Sequence, residues 1–205
     1  MGQMIRLGAL GLSILYILLV PRFVCSNNDV ERIIFLGDSL TAGGRWGEYF
    51  KSEGQEIKNF GIIGDTTRDV LNRLDLVILE KPNKLFLMVG INDAPSWKTF
   101  TRIVRNYNFI LKAIRAKSPG TKIYVQSILP VNNDKSKYEH DNENIKEVNQ
   151  ELKKMADRWS AVYIDLYRDF DSGGQLNGKY TDDGLHLNKS GYSLWVRLID
   201  KYVRE

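Results

Sequence analysis

The hydrophobic positions of this chain fall into two patterns that alternate along its length. Short continuous apolar runs appear at Arg32–Leu36 before Gly37, Glu56–Phe60 before Gly61, Leu85–Val89 before Gly90, Lys122–Leu129 before Pro130, and Val162–Leu166. Runs this short, punctuated by Gly or Pro, read as buried strands. Between them apolar residues return at helical spacing. Phe100, Ile103, Val104, Tyr107, Leu111 and Ile114 form one stripe, stopped by Ser118-Pro119-Gly120. Ile145, Val148, Leu152 and Met155 form a second, and Tyr192, Trp195, Val196, Ile199 and Val203 a third. Leu71–Leu79 predicts another helix, with Thr66 and Thr67 as sources of cap oxygens.

Strands alternating with helices imply parallel strands joined by right-handed crossovers. Continuous rather than alternating apolar strands agree, because a parallel sheet is covered on both faces. The prediction is an α/β three-layer sandwich with about five parallel strands. In such a sheet the functional crevice lies beyond the carboxyl ends of the strands. Gly37-Asp38-Ser39, Gly61–Gly64, Gly90–Asp93 and the Pro130 loop therefore share one edge.

Composition narrows the class. A chain of 205 residues, 43% hydrophobic and 26% charged, suits one soluble domain large enough to bury a core without disulfides or a structural metal. The net charge is +4, but Arg6 and Arg22 lie in an N-terminal stretch without acids, which leaves 27 basic against 25 acidic residues elsewhere. No basic stripe stands out, so no nucleic-acid partner is expected.

That N-terminal stretch is basic to Arg6, apolar or small over Leu7–Val20, and broken by Pro21. Its 14-residue apolar run is shorter than the ~20 residues of a membrane span. The order matches a secretory signal peptide over residues 1–26, leaving residues 27–205 as the mature domain. Export to periplasm or medium is expected, with no stable membrane association after cleavage. An uncleaved signal anchor and a lipid on Cys25, the only cysteine, are the alternatives. Cleavage after Ser26 leaves a body without a thiol nucleophile or a cysteine-based zinc site.

Histidine is the scarce resource for acid–base chemistry, since there are only two. His140 lies in the polar loop Asn132–Asn144. His186 follows Asp183-Gly184-Leu185, just ahead of the last helix. A carboxylate three residues upstream can reach the imidazole across a tight turn, orienting its tautomer and stabilising the imidazolium. Ser39 follows the first strand at a helix start, where its hydroxyl faces the crevice and its N–H is free to bind an oxyanion. Taken alone, Asp38-Ser39 is a helix cap. Thr41 stands where a Gly-x-Ser-x-Gly elbow needs its second glycine, which disfavours the usual α/β-hydrolase assignment. Gly64 permits close backbone approach to a reacting oxygen, and the Asn92 amide can donate to it. Asp182, Asp183 and His186 are too few ligands to argue for a metal site.

Together, Gly37-Asp38-Ser39-Leu40, Gly64, Asn92 and Asp183-x-x-His186 resemble the four sequence blocks of the SGNH (GDSL-type) hydrolases, in the family's order. The resemblance implies a flavodoxin-like sandwich and ester or thioester hydrolysis without a cofactor or metal. It assigns Ser39 as nucleophile, His186 as base, Asp183 as orienting acid, and the Ser39 N–H, Gly64 N–H and Asn92 side chain as oxyanion hole. Trp46, Ile91, Trp97 and Pro130 are expected to flank the site as substrate contacts. With no long inserted lid, short acyl groups such as acetyl, on a small molecule or a glycan, are the expected substrates. The alternatives are a lysophospholipase or thioesterase with a longer apolar groove, and a non-catalytic glycan-binding protein on the same fold.

Overall fold

The computed structural model describes residues 30–93 and 100–205. The proposed leader, Cys25 and Trp97 lie outside the described residues. Five parallel strands form one sheet: β1 (Glu31–Gly37), β2 (Gln55–Gly61), β3 (Lys84–Met88), β4 (Lys122–Gln126) and β5 (Val162–Ile164). Their order is β2-β1-β3-β4-β5, the flavodoxin-like arrangement. All five predicted strands are present.

Alternate residues of each strand feed two cores. Ile34, Leu36, Leu85, Leu87, Ile123 and Val125 face one layer, which comprises α3 (Thr67–Asn72), α4 (Leu74–Leu79), α5 (Phe100–Lys117) and α6 (Asn142–Arg158). Ile33, Phe35, Phe86, Met88 and Tyr124 face the other layer. It is built from α1 (Ser39–Ala42), α2 (Trp46–Tyr49), α7 (Tyr167–Phe170) and α8 (Lys189–Arg204). A small antiparallel ribbon, β6 (Asp171–Ser172) with β7 (Gln175–Leu176), lies between α7 and α8 in the chain. No described helix is long and apolar enough to cross a membrane.

Two predicted elements end differently. The apolar run Lys122–Leu129 stops pairing at Gln126, although Ser127–Leu129 remain buried. The Asn149 side chain of α6 takes over the backbone of Ile128, accepting from its N–H at 2.8 Å and donating to its carbonyl at 2.9 Å. The single helix expected over Leu71–Leu79 is broken at Arg73 into α3 and α4. Thr66 caps α3 reciprocally with Asp69, as a capping box.

Candidate active site

Ser39 opens α1 directly beyond β1. Asp38 is the helix N-cap, its carboxylate accepting from the Leu40 N–H at 3.0 Å. The N–H of Ser39, in the first turn, has no intrahelical acceptor. The sheet order reverses between β1 and β3, and both Ser39 and the Ile91–Asp93 turn follow those two strands. The residues predicted to carry chemistry therefore flank the topological switch point.

His186 approaches from the other end of the chain. Gly184 has φ +86°, and a Cβ there would meet the Asn132 carbonyl oxygen at 2.5 Å and the Ser136 nitrogen at 2.6 Å. Only glycine lets this turn close against the loop after β4. Within it Asp183 Oδ1 accepts from the backbone N–H groups of Leu185 (2.9 Å) and His186 (2.7 Å). Asp183 Oδ2 lies 2.7 Å from His186 Nδ1, and His186 Nε2 lies 3.1 Å from Ser39 Oγ. Burial alone would raise the Asp183 carboxyl. The His186 ring and the two backbone donors outweigh it and hold the group at about 2. Asp183 is thus ionised and aimed at Nδ1, which leaves Nε2 to face the hydroxyl.

The remaining predicted residues form the opposite lip. The Ile62 N–H donates to the Gly37 carbonyl at 3.1 Å, which ties the Gly64 loop to the end of β1. Gly64 is exposed with φ +85°, and nothing crowds its Cβ position. One Asn92 amide hydrogen is committed to the Asp65 carbonyl at 3.1 Å, and among the described residues its second N–H has no acceptor.

Sequence reasoning missed the residues that join these loops. Arg73 donates to the Asp65 carboxylate (2.7 Å) and to the carbonyls of Gly37 (3.1 Å) and Phe60 (2.8 Å). From its position between α3 and α4 it ties together the ends of β1 and β2 and the loop that follows β2. Asp93 is buried and accepts from the Thr67 N–H (2.7 Å) and hydroxyl (2.6 Å). Asn106 of α5 donates to that hydroxyl at 2.8 Å. The adjacent Asn92-Asp93 pair thus divides its work between the crevice and the start of α3.

Three expected substrate contacts are corrected. Trp46 is buried, its Nε1 donating to the Thr41 carbonyl at 2.9 Å and its ring stacked on Phe35 at 4.3 Å. Its indole is large enough to complete the core under β1, and that burial outweighs any role at the rim. Ile91 and Pro130 are also buried, Ile91 in the core under β3. A segment given no role in advance lies beside the histidine turn. Lys135, Ser136, Lys137 and Tyr138 line a pocket of about 370 Å³ together with Asp183, Leu185 and His186.

Residues 35–194 match the model of the GDSL-like lipase/acylhydrolase family. The human platelet-activating factor acetylhydrolase IB subunit alpha2 is 32% identical over 184 residues, covering 84% of this chain and 76% of that protein. The N-acylneuraminate cytidylyltransferase of Escherichia coli is 29% identical over 86% of this chain, which spans only 41% of that longer protein. The lipase/acylhydrolase from Enterococcus faecalis superposes with a TM-score of 0.71 at 25% identity, over 85% of this chain and 95% of that one. The acetyl xylan esterase AlAXEase shares the fold, with a TM-score of 0.70 at 22% identity over 84% of this chain and 99% of that one. The match runs from β1 into α8 and takes in both strand-end loops and the histidine turn, so the chain belongs to the GDSL-like lipase/acylhydrolase family and is an ester hydrolase.

Proposed function

We propose that the protein is a serine esterase removing short acyl groups, acetyl foremost, through an acyl-enzyme on Ser39. One observation carries the reading: a hydroxyl, an imidazole and a carboxylate in series, at 3.1 Å and 2.7 Å. His186 Nε2 takes the Ser39 proton as Oγ attacks the ester carbonyl. The oxyanion accepts from the Ser39 and Gly64 N–H groups and from the Asn92 amide. Collapse expels the alcohol, which takes the proton from His186. Water, deprotonated by the same nitrogen, then attacks the acyl carbon and releases the acid and Ser39. Asp183 stays ionised and stabilises the imidazolium in both halves.

The relative named as an acetylhydrolase supports acetyl as the acyl group. A second reading, hydrolysis of longer acyl chains, is favoured by Ile62 and Ile63, which are 47% and 80% exposed beside Gly64 and offer an apolar lip. A p-nitrophenyl ester series decides between them. A decline in kcat/KM beyond butyrate supports the first, whereas a maximum at octanoate or longer overturns it. A fluorophosphonate should label Ser39 and leave Ser39→Ala unlabelled, and undiminished turnover by Ser39→Ala would remove the serine mechanism altogether. We further propose export, with residues 1–26 as the leader. Sequencing the N-terminus of the secreted protein should find Asn27 first.

A further inference from the structure

The pocket beside His186 has an uneven charge. Its lining contributes two ammonium groups, Lys135 and Lys137, and one carboxylate, Asp183. That carboxylate is already occupied by two backbone N–H groups and the imidazole. Neither lysine has a carboxylate within 4.0 Å among the described residues. Lys135 Nζ makes only long contacts, to the carbonyls of Gly178 (3.5 Å) and Thr181 (3.4 Å). The nearby acids are engaged elsewhere: Asp134 faces Gln175, Asp182 faces Asn188, and Glu139 lines a different cavity.

The loop that presents these lysines is built. The Asn132 N–H donates to the Gly184 carbonyl at 2.8 Å, so the loop is pinned to the histidine turn. The Asn132 amide donates to the Leu176 carbonyl, and Asn133 bonds both the N–H and the carbonyl of His140. The Ser136 hydroxyl donates to the Tyr138 carbonyl at 2.8 Å and accepts its N–H at 3.2 Å. Tyr138, 70% exposed, presents a flat aromatic face at the rim. A volume of about 370 Å³ is small for a ligand site and suits one ring-sized polar group.

Resting on the esterase reading above, we propose that the alcohol half of the substrate carries an oxyanion, a carboxylate or a phosphate, that docks on Lys137 and Lys135. The acyl group points toward the oxyanion donors, and the alcohol fills the pocket with a ring against Tyr138. The loop backbone is already held, so the ordering cost of binding falls on the two lysine side chains, and the cationic rim acts as a selectivity filter. A charge-assisted contact holds the anionic ester, while a neutral one leaves the lysines to water.

The test compares matched O-acetyl esters: a methyl glucoside, its methyl glucuronoside and a glucose phosphate. At low ionic strength kcat/KM should be at least about tenfold higher for one or both anionic esters, chiefly through KM. Added salt should shrink the ratio. Lys137→Gln and Lys135→Gln should each lower the anionic-to-neutral ratio, and Lys137→Glu should invert it. Lys153→Gln, on the far part of α6, should leave it alone. The glucuronoside and the phosphate together tell which oxyanion is preferred. Equal kcat/KM for all three esters, or a ratio that survives Lys137→Glu, overturns the proposal. Hydrolysis of p-nitrophenyl acetate separates the two readings: activity without anionic preference defeats only this inference, whereas no activity on any ester defeats the esterase reading beneath it.

Discussion

At the scale of single residues, two carboxylates near Ser39 sit in opposite environments. Asp183 is held at about 2 after its hydrogen bonds outweigh burial. A depressed carboxyl adds stability that is present above its unfolded value of 3.8 and is lost as pH falls through the folded value of about 2. Asp183 is therefore already ionised above about pH 4, and kcat/KM should show no step from this carboxyl between about pH 4 and 8. An Asp183 carboxyl carbon whose NMR shift titrates within that range would contradict this. Asp183→Asn should cost kcat about 10⁴-fold by losing the tautomer, as in other serine triads. Asn92→Ala should cost about 10²–10³-fold with little change in KM, the loss expected for one oxyanion donor.

Asp38 behaves in the reverse way. Burial pushes its carboxyl up to about 7, against the pull of the Leu40 N–H and His186. Between 3.8 and about 7 the unfolded chain releases a proton that the folded protein keeps, so stability declines as pH rises through that window. Asp38→Asn keeps a cap acceptor for the Leu40 N–H and removes the ionisation. Its urea midpoint should be nearly flat from pH 5 to 8, where the unmodified protein should lose up to about 3 kcal/mol. A variant as pH-dependent as its parent would place the titration elsewhere.

At the scale of elements, the reach of sequence reasoning follows from what local pattern encodes. Strand cores such as Leu85–Met88 were legible because burial on both faces forces continuous apolar residues. The Asp183-x-x-His186 turn was legible because its chemistry is local. The end of β4 was not, since Asn149 supplies the competing hydrogen bonds from 21 residues away. Arg73 was equally hidden: inside an apolar helical pattern a basic residue reads as a solvated face. Arg73→Met should slow kcat about tenfold or more by loosening the ends of β1 and β2 and the Asp65 loop against one another. Arg73→Lys should recover only part, because one ammonium cannot reproduce a forked donor. Substrate KM should move less than kcat, and a variant impaired in KM alone would argue against a positioning role.

At the scale of the whole molecule, the distinction between core and rim could not be drawn from residue type. Trp46 and Tyr138 are both aromatic, one opening the short helix α2 and the other in the loop after β4. Only the packed sheet shows that one completes a stack of Phe35, Phe86 and Tyr124 while the other stays exposed. Trp46→Ala should destabilise by about 3–5 kcal/mol in denaturant unfolding. Assayed at a temperature where it is folded, it should keep the parent's acyl-chain preference. A changed preference would return Trp46 to the substrate pocket.

Ser39 and His186 touch across 147 residues of chain, and α8 packs against the same layer as α1. A ribosome therefore delivers the attacking group 147 residues ahead of its partner. Newly made protein should hydrolyse nothing until the closing helix has emerged, so the first trace of turnover is a clock for completed assembly. Stalled or prematurely terminated products would be silent rather than sluggish.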